Sequence, residues 1–103
     1  MSDEPKQLVG PVVRGFDPDI VDALETALEK DNPGVELFIE DRAGYVRIHA
    51  PRYLRVTRAS LSEALGRPIS LPELEPAIAS FAGRMNYVGD DELVWFLERG
   101  DTQ

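Results

Sequence analysis

The sequence predicts an α+β fold: a single domain in which helices pack on one face of a mostly antiparallel sheet, in the order β-α-β-β-β-α-α-β-β. Its 103 residues are enough for one hydrophobic core but not for two. A capped amphipathic segment precedes several short segments in which apolar and polar residues alternate. Short turns separate these segments, which favours antiparallel pairing. We assign the domain to residues 9–98, between a disordered tail at 1–8 and a C-terminal tail at 99–103.

The first strand and the first helix are predicted from proline and capping positions. Residues 9–16 should form a short edge strand, because Pro11 is tolerated mainly at a sheet edge. Asp17 can cap a helix that begins at Pro18, where the missing N–H would have no helical partner. The helix should end at the Asn32-Pro33-Gly34 stop. Its predicted buried face consists of Ile20, Leu24, Ala27 and Leu28.

Three alternating segments in the middle of the chain are predicted to form strands. Residues 35–40 indicate a half-buried strand, and a turn at 41–44 leads into a second strand over 45–50. After a break at Pro51, a third strand is expected over 53–57. The inward residues of the first of these strands should be Val35, Leu37 and Ile39. One face of the neighbouring strands should carry Tyr45, Arg47, His49, Tyr53 and Arg55, with Phe38 beside them.

The C-terminal half begins with a short helix and ends with a hairpin. Either Thr57 or Ser60 can cap the helix, and Gly66 should end it. Residues 83–88 and 92–97 are typical of a hairpin around a Gly-Asp-Asp turn.

A second helix is expected between these two elements. Ser70 and Glu73 match a capping box at its start. Pro76 lies one turn later and should kink the helix or divide it into two short pieces, because proline removes a helical hydrogen bond. Its expected core contacts are Leu74, Ala77, Ile78 and Phe81.

Composition and charge restrict the possible partners. The net charge of −8 argues against nucleic acid, which requires a cationic surface. No apolar run is long enough to span a bilayer, and the N-terminus lacks a signal-type apolar region, so we expect a cytoplasmic protein without membrane contact. Residues 42–67 nevertheless contain six arginines and one acid. This pattern indicates either ordinary solubility or a docking surface, since arginine is enriched at interfaces.

Residues that could carry out chemistry are sparse. The chain has no cysteine and one histidine, His49, so neither a thiolate site nor a clustered metal site is indicated. No serine has a histidine partner at a recognisable spacing, and the glycines match no phosphate loop. We therefore expect no catalytic residue, no metal and no cofactor. Two alternatives stay open: a small-molecule-sensing α+β regulatory domain, and a cofactor-independent enzyme that uses His49 with Arg47 or Tyr45.

Several short motifs resemble one known family. They are Val9-Gly10-Pro11-Val12-Val13-Arg14, Asp31-Asn32-Pro33-Gly34, Glu40-Asp41-Arg42, Tyr45-Val46-Arg47-Ile48, Leu65-Gly66-Arg67-Pro68, Leu74-Glu75 and Ala79-Ser80-Phe81-Ala82-Gly83. Each is weak alone, but in this order and spacing the chain resembles the effector (coupling or regulatory) subunits of soluble di-iron multicomponent monooxygenases, closest to the toluene and alkene (isoprene) type. The sequence departs from the family pattern at Pro76.

The resemblance implies a non-catalytic protein that binds a di-iron hydroxylase and tunes its active site and coupling during aromatic or alkene oxidation. It also implies a docking surface on the hydroxylase that is shared with a ferredoxin or reductase, and a protein that carries no iron, flavin or Fe–S cluster. We expect the free protein to be monomeric. The positions carried over as hydroxylase-binding are Asn32, Pro33, Gly34, Asp41, Arg42, Tyr45, Arg47, Ser80, Phe81 and Gly83.

Overall fold

Seven strands, two α-helices and one 3₁₀ helix follow one another in the computed structural model, which describes residues 7–15 and 17–97. The elements are β1 (Leu8–Arg14), α1 (Pro18–Asp31), β2 (Phe38–Arg42), β3 (Tyr45–Pro51), β4 (Tyr53–Thr57), α2 (Arg58–Leu65), the 3₁₀ helix (Leu71–Ala77), β5 (Ile78–Ala82), β6 (Arg84–Val88) and β7 (Glu92–Phe96). The α+β class and the order of elements are confirmed, with β5 as one further strand. β1 begins at Leu8, one residue inside the predicted tail. Residues 1–6, 16 and 98–103, which include most of the predicted N-terminal tail and all of the predicted C-terminal tail, lie outside the described residues.

The strands form two antiparallel sheets, whereas the sequence predicted one. The first has the order β2-β3-β1-β5 and the second the order β4-β7-β6. The chain passes from the first sheet to the second at Arg52, whose φ of 70° is unusual for a residue with a side chain. The Arg52 N–H donates to the carbonyl of Gln7 at 2.8 Å. This sharp connection separates β3 from β4 and therefore divides the tyrosine- and arginine-rich face that the alternation predicted.

β1 lies inside the four-stranded sheet, so its prediction as an edge strand is wrong. It pairs with β3 on one side and with β5 on the other. The pairing with β3 runs from Leu8 to Val9, is interrupted at Gly10 and Pro11, and resumes at Val12. A central proline is tolerated because the ladder is already open there and its missing N–H leaves no partner unsatisfied.

Helix α1 begins and packs as predicted. The Asp17 side chain accepts a hydrogen bond from the N–H of Ile20 at 3.3 Å, and Pro18 occupies the first helical position. The helix packs against α2 and β4. Its apolar face contributes a continuous part of the core, namely Ile20, Val21, Ala23, Leu24, Ala27 and Leu28.

Thr57, rather than Ser60, caps α2. Its hydroxyl accepts a hydrogen bond from the Ser60 N–H at 3.1 Å, and Gly66 follows the last helical residue. The predicted capping box of the next helix is also present, since the Glu73 carboxylate accepts from the Ser70 N–H at 2.8 Å.

The segment around Pro76 differs from the prediction of a kinked or divided helix. One 3₁₀ helix covers Leu71–Ala77, and β5 begins at the next residue. The tighter 3₁₀ winding accommodates Pro76, and the chain then leaves the helical region. Leu74 and Ala77 are buried as predicted, but Ile78 is only partly buried and Phe81 is 44% exposed on a strand.

β2 is the edge strand of the four-stranded sheet and is less buried than its alternation predicted. Val35, which precedes it, is exposed, and Phe38 and Ile39 are 41% and 42% exposed. Of the three apolar residues expected to point inward, only Leu37 packs partly against the core. An edge strand lacks a neighbour on one side, so its inward residues remain accessible.

Candidate docking surface

The outward residues of the four-stranded sheet form three rows across β2, β3, β1 and β5. In antiparallel pairs, residues opposite each other share a face, so the register defines the rows. The first row contains Arg42, Tyr45 and Arg14; the second contains Glu40, Arg47, Val12 and Ser80; the third contains Phe38 and His49, with Gly10 beside the histidine. We call these three rows the outer face. The alternate residues of β3, Val46, Ile48 and Ala50, point into the core.

Tyr45 is flanked by an arginine on each neighbouring strand. It lies opposite Arg42 on β2 and opposite Arg14 on β1, and it is 48% exposed. The Arg14 Nε donates to the carbonyl of Pro76 at 3.2 Å, which ties this guanidinium to the 3₁₀ helix. A tyrosine between two arginines offers the residue types most often found at the energetic centres of protein interfaces.

Glu40 holds two arginines of the outer face. Its carboxylate accepts from Arg42 Nε at 2.9 Å and from Arg47 Nη1 at 3.1 Å. The hydrogen bond and charge of Arg42, followed by Arg47, lower the pKa of Glu40 below its ordinary value, so Glu40 is ionised at neutral pH. Both pairs are exposed, and ion pairs of this kind contribute little to folding.

A shallow depression of about 330 Å³ opens on the outer face. It is lined by Val12, Arg42, Tyr45 and Arg47. Its lining combines one aliphatic side chain with two guanidinium groups and a phenol. Such a shape suits a protruding side chain of another protein better than an enclosed small molecule.

His49 lies in the third row and is buried, with 8% of its surface exposed. Its Nε2 is buried and has no hydrogen-bond partner within the part of the chain that the structure describes. Burial, and then the charge of Arg47, lower the pKa of His49; a backbone hydrogen bond with Gly10 and the charge of Glu40 oppose this shift. The imidazole is therefore neutral at physiological pH.

This arrangement gives no support to an enzyme that uses His49. Tyr45 lies four residues away on the same strand, a separation of roughly 13 Å, which is too long for direct proton transfer.

In residues 7–15 and 17–97, no three histidine or acidic side chains cluster as a metal site. Within the same ranges, none of the helices has the length and apolarity needed to cross a bilayer.

The sequence-predicted contact residues fall into separate places. Arg42, Tyr45, Arg47 and Ser80 come together on the outer face. Asp41 and Phe81 are exposed but belong to the opposite side of the sheet, since they pair with Val46 and Pro11. Gly83 follows β5, where a Cβ atom would come within 2.6 Å of Val9 Cγ1. Asn32, Pro33 and Gly34 lie beyond the end of α1.

The expected face of Tyr45, Arg47, His49, Tyr53 and Arg55 is wrong in its last two members. Tyr53 and Arg55 belong to β4 in the three-stranded sheet, and the partly buried Arg55 pairs with Glu92. Arg14 and Glu40 were not predicted as site residues. Arg14 could have been found, because it ends a motif in which Val12 and Arg14 alternate with buried residues.

Asn32 has a structural role that its motif did not disclose. Its Nδ2 donates to the carbonyl of Arg55 at 2.7 Å and to the carbonyl of Leu28 at 2.7 Å, and its Oδ1 accepts from the Arg55 N–H at 3.2 Å. The side chain thus joins the end of α1 to β4. With 6% of its surface exposed, Asn32 is not available for direct contact with a partner.

The preceding Asp31 completes this junction. Its carboxylate accepts from the Thr57 N–H at 2.7 Å and from the Ser60 hydroxyl at 2.6 Å. The start of α2 is therefore fastened to the end of α1. The Asp-Asn-Pro-Gly segment holds three elements together.

A second and wider concavity, of about 960 Å³, lies on the side of β4 and α2. Two of the arginines that line it are paired within the chain, since Arg58 binds Asp91 at 3.0 Å and Arg55 binds Glu92. A ligand-sensing domain would be expected to have an apolar pocket with a few convergent polar groups. The groove is open, and two of its three arginines already bind acids of the same chain, so no specific observation favours this alternative.

Comparison with known proteins identifies the family. Residues 7–96 match the MmoB/DmpM family. The effector subunit of the alkene monooxygenase system of Xanthobacter autotrophicus (strain ATCC BAA-1158 / Py2) is 44% identical over 98 residues, which cover 95% of this chain and 94% of that protein.

Two solved structures are similar in fold and sequence. A chain of the phenol hydroxylase–regulatory protein complex superposes with a TM-score of 0.74 at 28% identity, covering 89% of this chain and 100% of that one. The soluble methane monooxygenase regulatory protein B superposes with a TM-score of 0.66 at 27% identity, covering 99% of this chain and 72% of that one. The chain belongs to the MmoB/DmpM family.

Proposed function

We propose that the protein is the non-catalytic effector of a multicomponent monooxygenase, and that it binds the di-iron hydroxylase through the outer face. The observation that carries the proposal is this exposed surface of tyrosine and arginine on a chain of net charge −8. The 44% identical relative is an effector subunit, and a structural relative was solved in a complex named for phenol hydroxylase and its regulatory protein. The hydroxylase would oxidise an aromatic compound or an alkene.

The physical action is a shift between conformations of the hydroxylase. A bound protein changes the reactivity of its partner only if it binds one conformation more tightly than another. The effector therefore requires a rigid surface. β1 is an inner strand of the sheet that carries the outer face, and the Asp31–Asn32 junction fastens α1 to β4 and α2, so both features favour such rigidity.

The predicted contact residues divide into two roles under this proposal. Arg42, Tyr45, Arg47 and Ser80 contact the hydroxylase directly, joined by Arg14 on β1. Asn32 and Gly83 act by positioning, since one is buried and the other is packed against Val9. The remaining predicted positions, Pro33, Gly34, Asp41 and Phe81, are exposed, but Asp41 and Phe81 lie on the opposite side of the sheet, so binding through the outer face gives these two no direct contact with the hydroxylase.

The proposal extends to the setting of the protein. It acts in the cytoplasm as a monomer when free. The ferredoxin or reductase that supplies electrons uses the same region of the hydroxylase, so excess effector should slow electron delivery.

The test is a reconstituted reaction with hydroxylase, ferredoxin and reductase. Addition of the protein should raise the product formed per electron consumed until the hydroxylase is saturated. Replacement of Arg42 and Arg47 by glutamine should raise the concentration needed for half-maximal effect by about tenfold or more, because both arginines would be lost from the interface centre. Unchanged rate and coupling across a full titration of the wild-type protein would refute the proposal.

Arg58→Gln is the matched control. Arg58 is as exposed as Arg47, at 51% of its side chain, and it also pairs with an acid, Asp91. It begins α2, away from the outer face. This variant should titrate like the wild-type protein, which would separate loss of a specific contact from a general change of charge.

A further inference from the structure

Glu40 is the one acidic residue in the three rows of the outer face, and it binds two of the three arginines there, Arg42 and Arg47. Its two carboxylate oxygens are divided between the arginines that line the depression, since Oε2 binds Arg42 and Oε1 binds Arg47. A planar guanidinium pairs well with a carboxylate, so these two arginines form a ready receptor for such a group.

The ion pairs of Glu40 with Arg42 and Arg47 are weak enough to be replaced by ion pairs with another carboxylate. The side chains of Arg42, Arg47 and Glu40 are 69%, 51% and 42% exposed, and exposed pairs are screened by water and salt. A carboxylate from another protein that enters the depression would be partly shielded from water by Val12 and Tyr45. The same guanidinium groups would then bind an acid in a drier environment, where charge pairs are stronger.

We propose that in the free protein Glu40 occupies the place that a carboxylate of the hydroxylase takes in the complex. On docking, an acidic side chain of the hydroxylase displaces Glu40 from Arg42 and Arg47. This inference rests on the proposed function and adds the chemistry of the partner surface. Glu40 lowers the affinity of the free protein for the hydroxylase. It also keeps the arginines from binding unrelated anions.

The experiment compares Glu40→Gln with Glu63→Gln by calorimetric titration into the purified hydroxylase. Both substitutions remove one negative charge from an exposed ion pair, because Glu63 binds Lys30 on the helical side of the molecule. We expect Glu40→Gln to lower the dissociation constant by about two- to tenfold, since two exposed pairs no longer compete. Glu63→Gln should leave it unchanged, apart from any general effect of net charge.

The arginines are tested by repeating the Glu40→Gln substitution in a protein that already carries Arg42→Gln and Arg47→Gln. The gain in affinity should disappear in this background, and the salt dependence of binding should become weaker. An unchanged or weakened affinity of the single Glu40→Gln variant would overturn the inference, because Glu40 would then be neutral or would orient the arginines productively. If the wild-type protein itself fails to bind the hydroxylase, the proposed function fails as well, so the two failures are distinct.

Discussion

The side chain of Asn32 pairs with both backbone polar groups of Arg55, in the manner of a neighbouring strand. Its Nδ2 donates to the Arg55 carbonyl at 2.7 Å, and its Oδ1 accepts from the Arg55 N–H at 3.2 Å. Since β4 is an edge of the three-stranded sheet, this amide takes the place of a missing strand at that point.

Asn32→Ala should therefore destabilise the protein by about 2–4 kcal/mol, because the N–H and carbonyl of Arg55 and the carbonyl of Leu28 lose a shared partner. Urea denaturation followed through the fluorescence of Trp95, the single and fully buried tryptophan, would measure the loss. The control is Asn86→Ala on an exposed part of β6, which should change stability by about 0.5 kcal/mol or less. Equal effects of the two substitutions would contradict the structural role.

Gly10 lies against the backbone of β3 with no room for a side chain. Its φ is 139°, and a Cβ atom there would overlap the carbonyl oxygen of Ile48. Gly10→Ala should cost more than about 4 kcal/mol or prevent folding, because backbone atoms have no room to move apart inside the sheet.

Gly44→Ala provides the comparison for this prediction. Gly44 also has a positive φ, 87°, but a Cβ atom added there would meet nothing within 4 Å. Its substitution should cost about 1–2 kcal/mol from backbone strain alone. Thermal unfolding of both variants measures the difference, and a Gly10→Ala protein as stable as Gly44→Ala would show that the close approach is absent.

Acidification should destabilise the protein through His49. Its folded-state pKa is lowered by burial and by Arg47, so the unfolded chain binds a proton first as the pH falls below about 6.5. Above that pH, His49 does not make the free energy of unfolding depend on pH. Below it, stability should fall by up to about 1.4 kcal/mol per pH unit until the folded-state pKa is passed.

The measurement is the free energy of unfolding of wild type and His49→Gln between pH 5 and 8. The difference between the two proteins should be constant above pH 7 and should change between pH 6.5 and 5, where glutamine has no proton to gain. Taking the difference removes the titration of carboxylates such as Glu25, whose pKa is raised chiefly by burial. Parallel curves over the whole range would exclude His49 as the cause.

Tyr45 should contribute strongly to hydroxylase binding, because it lies between Arg14 and Arg42 at the centre of the first row. Tyr45→Ala is expected to weaken binding by about 30-fold or more, as for a central aromatic contact. Tyr53→Ala is a close control, since Tyr53 is 46% exposed compared with 48% for Tyr45 but lies in the other sheet. Calorimetric titration with equal losses for both variants would place the docking surface elsewhere.

Local signals in the sequence predicted the ends of elements well. Asp17 and Pro18 start α1, Gly66 follows α2, and Ser70 with Glu73 caps the 3₁₀ helix, because caps depend on residues only a few positions apart. Tyr45, Arg47 and His49 were placed on one face for the same reason, since alternation within a strand is local information, whereas Arg42 was expected in a turn and ends β2.

The errors concern which strand neighbours which. Alternation in β2 does not reveal that the strand is an edge, so Ile39 was expected to be buried. Nothing local indicates that Arg52 adopts a positive φ and moves Tyr53 into a second sheet. Pro11 suggested an edge strand because proline has no N–H to donate to a neighbouring strand. The pairing of β1 with β3 is interrupted at Gly10 and Pro11, and this interruption depends on both strands, so the sequence of β1 alone does not reveal it.

The Asp31–Asn32 junction stabilises the fold, whereas the outer face carries the proposed contacts. This separation has a consequence for engineering. The junction uses only internal partners, and the side chains of the three rows on β2 and β3 alternate with those of the core. The exposed residues of these rows can therefore be exchanged for those of another family member, provided that the buried His49 and the closely approached Gly10 are kept. Such a chimera would keep its own scaffold while changing which oxygenase it serves, so effectors for orthogonal hydroxylases could be built from this single chain.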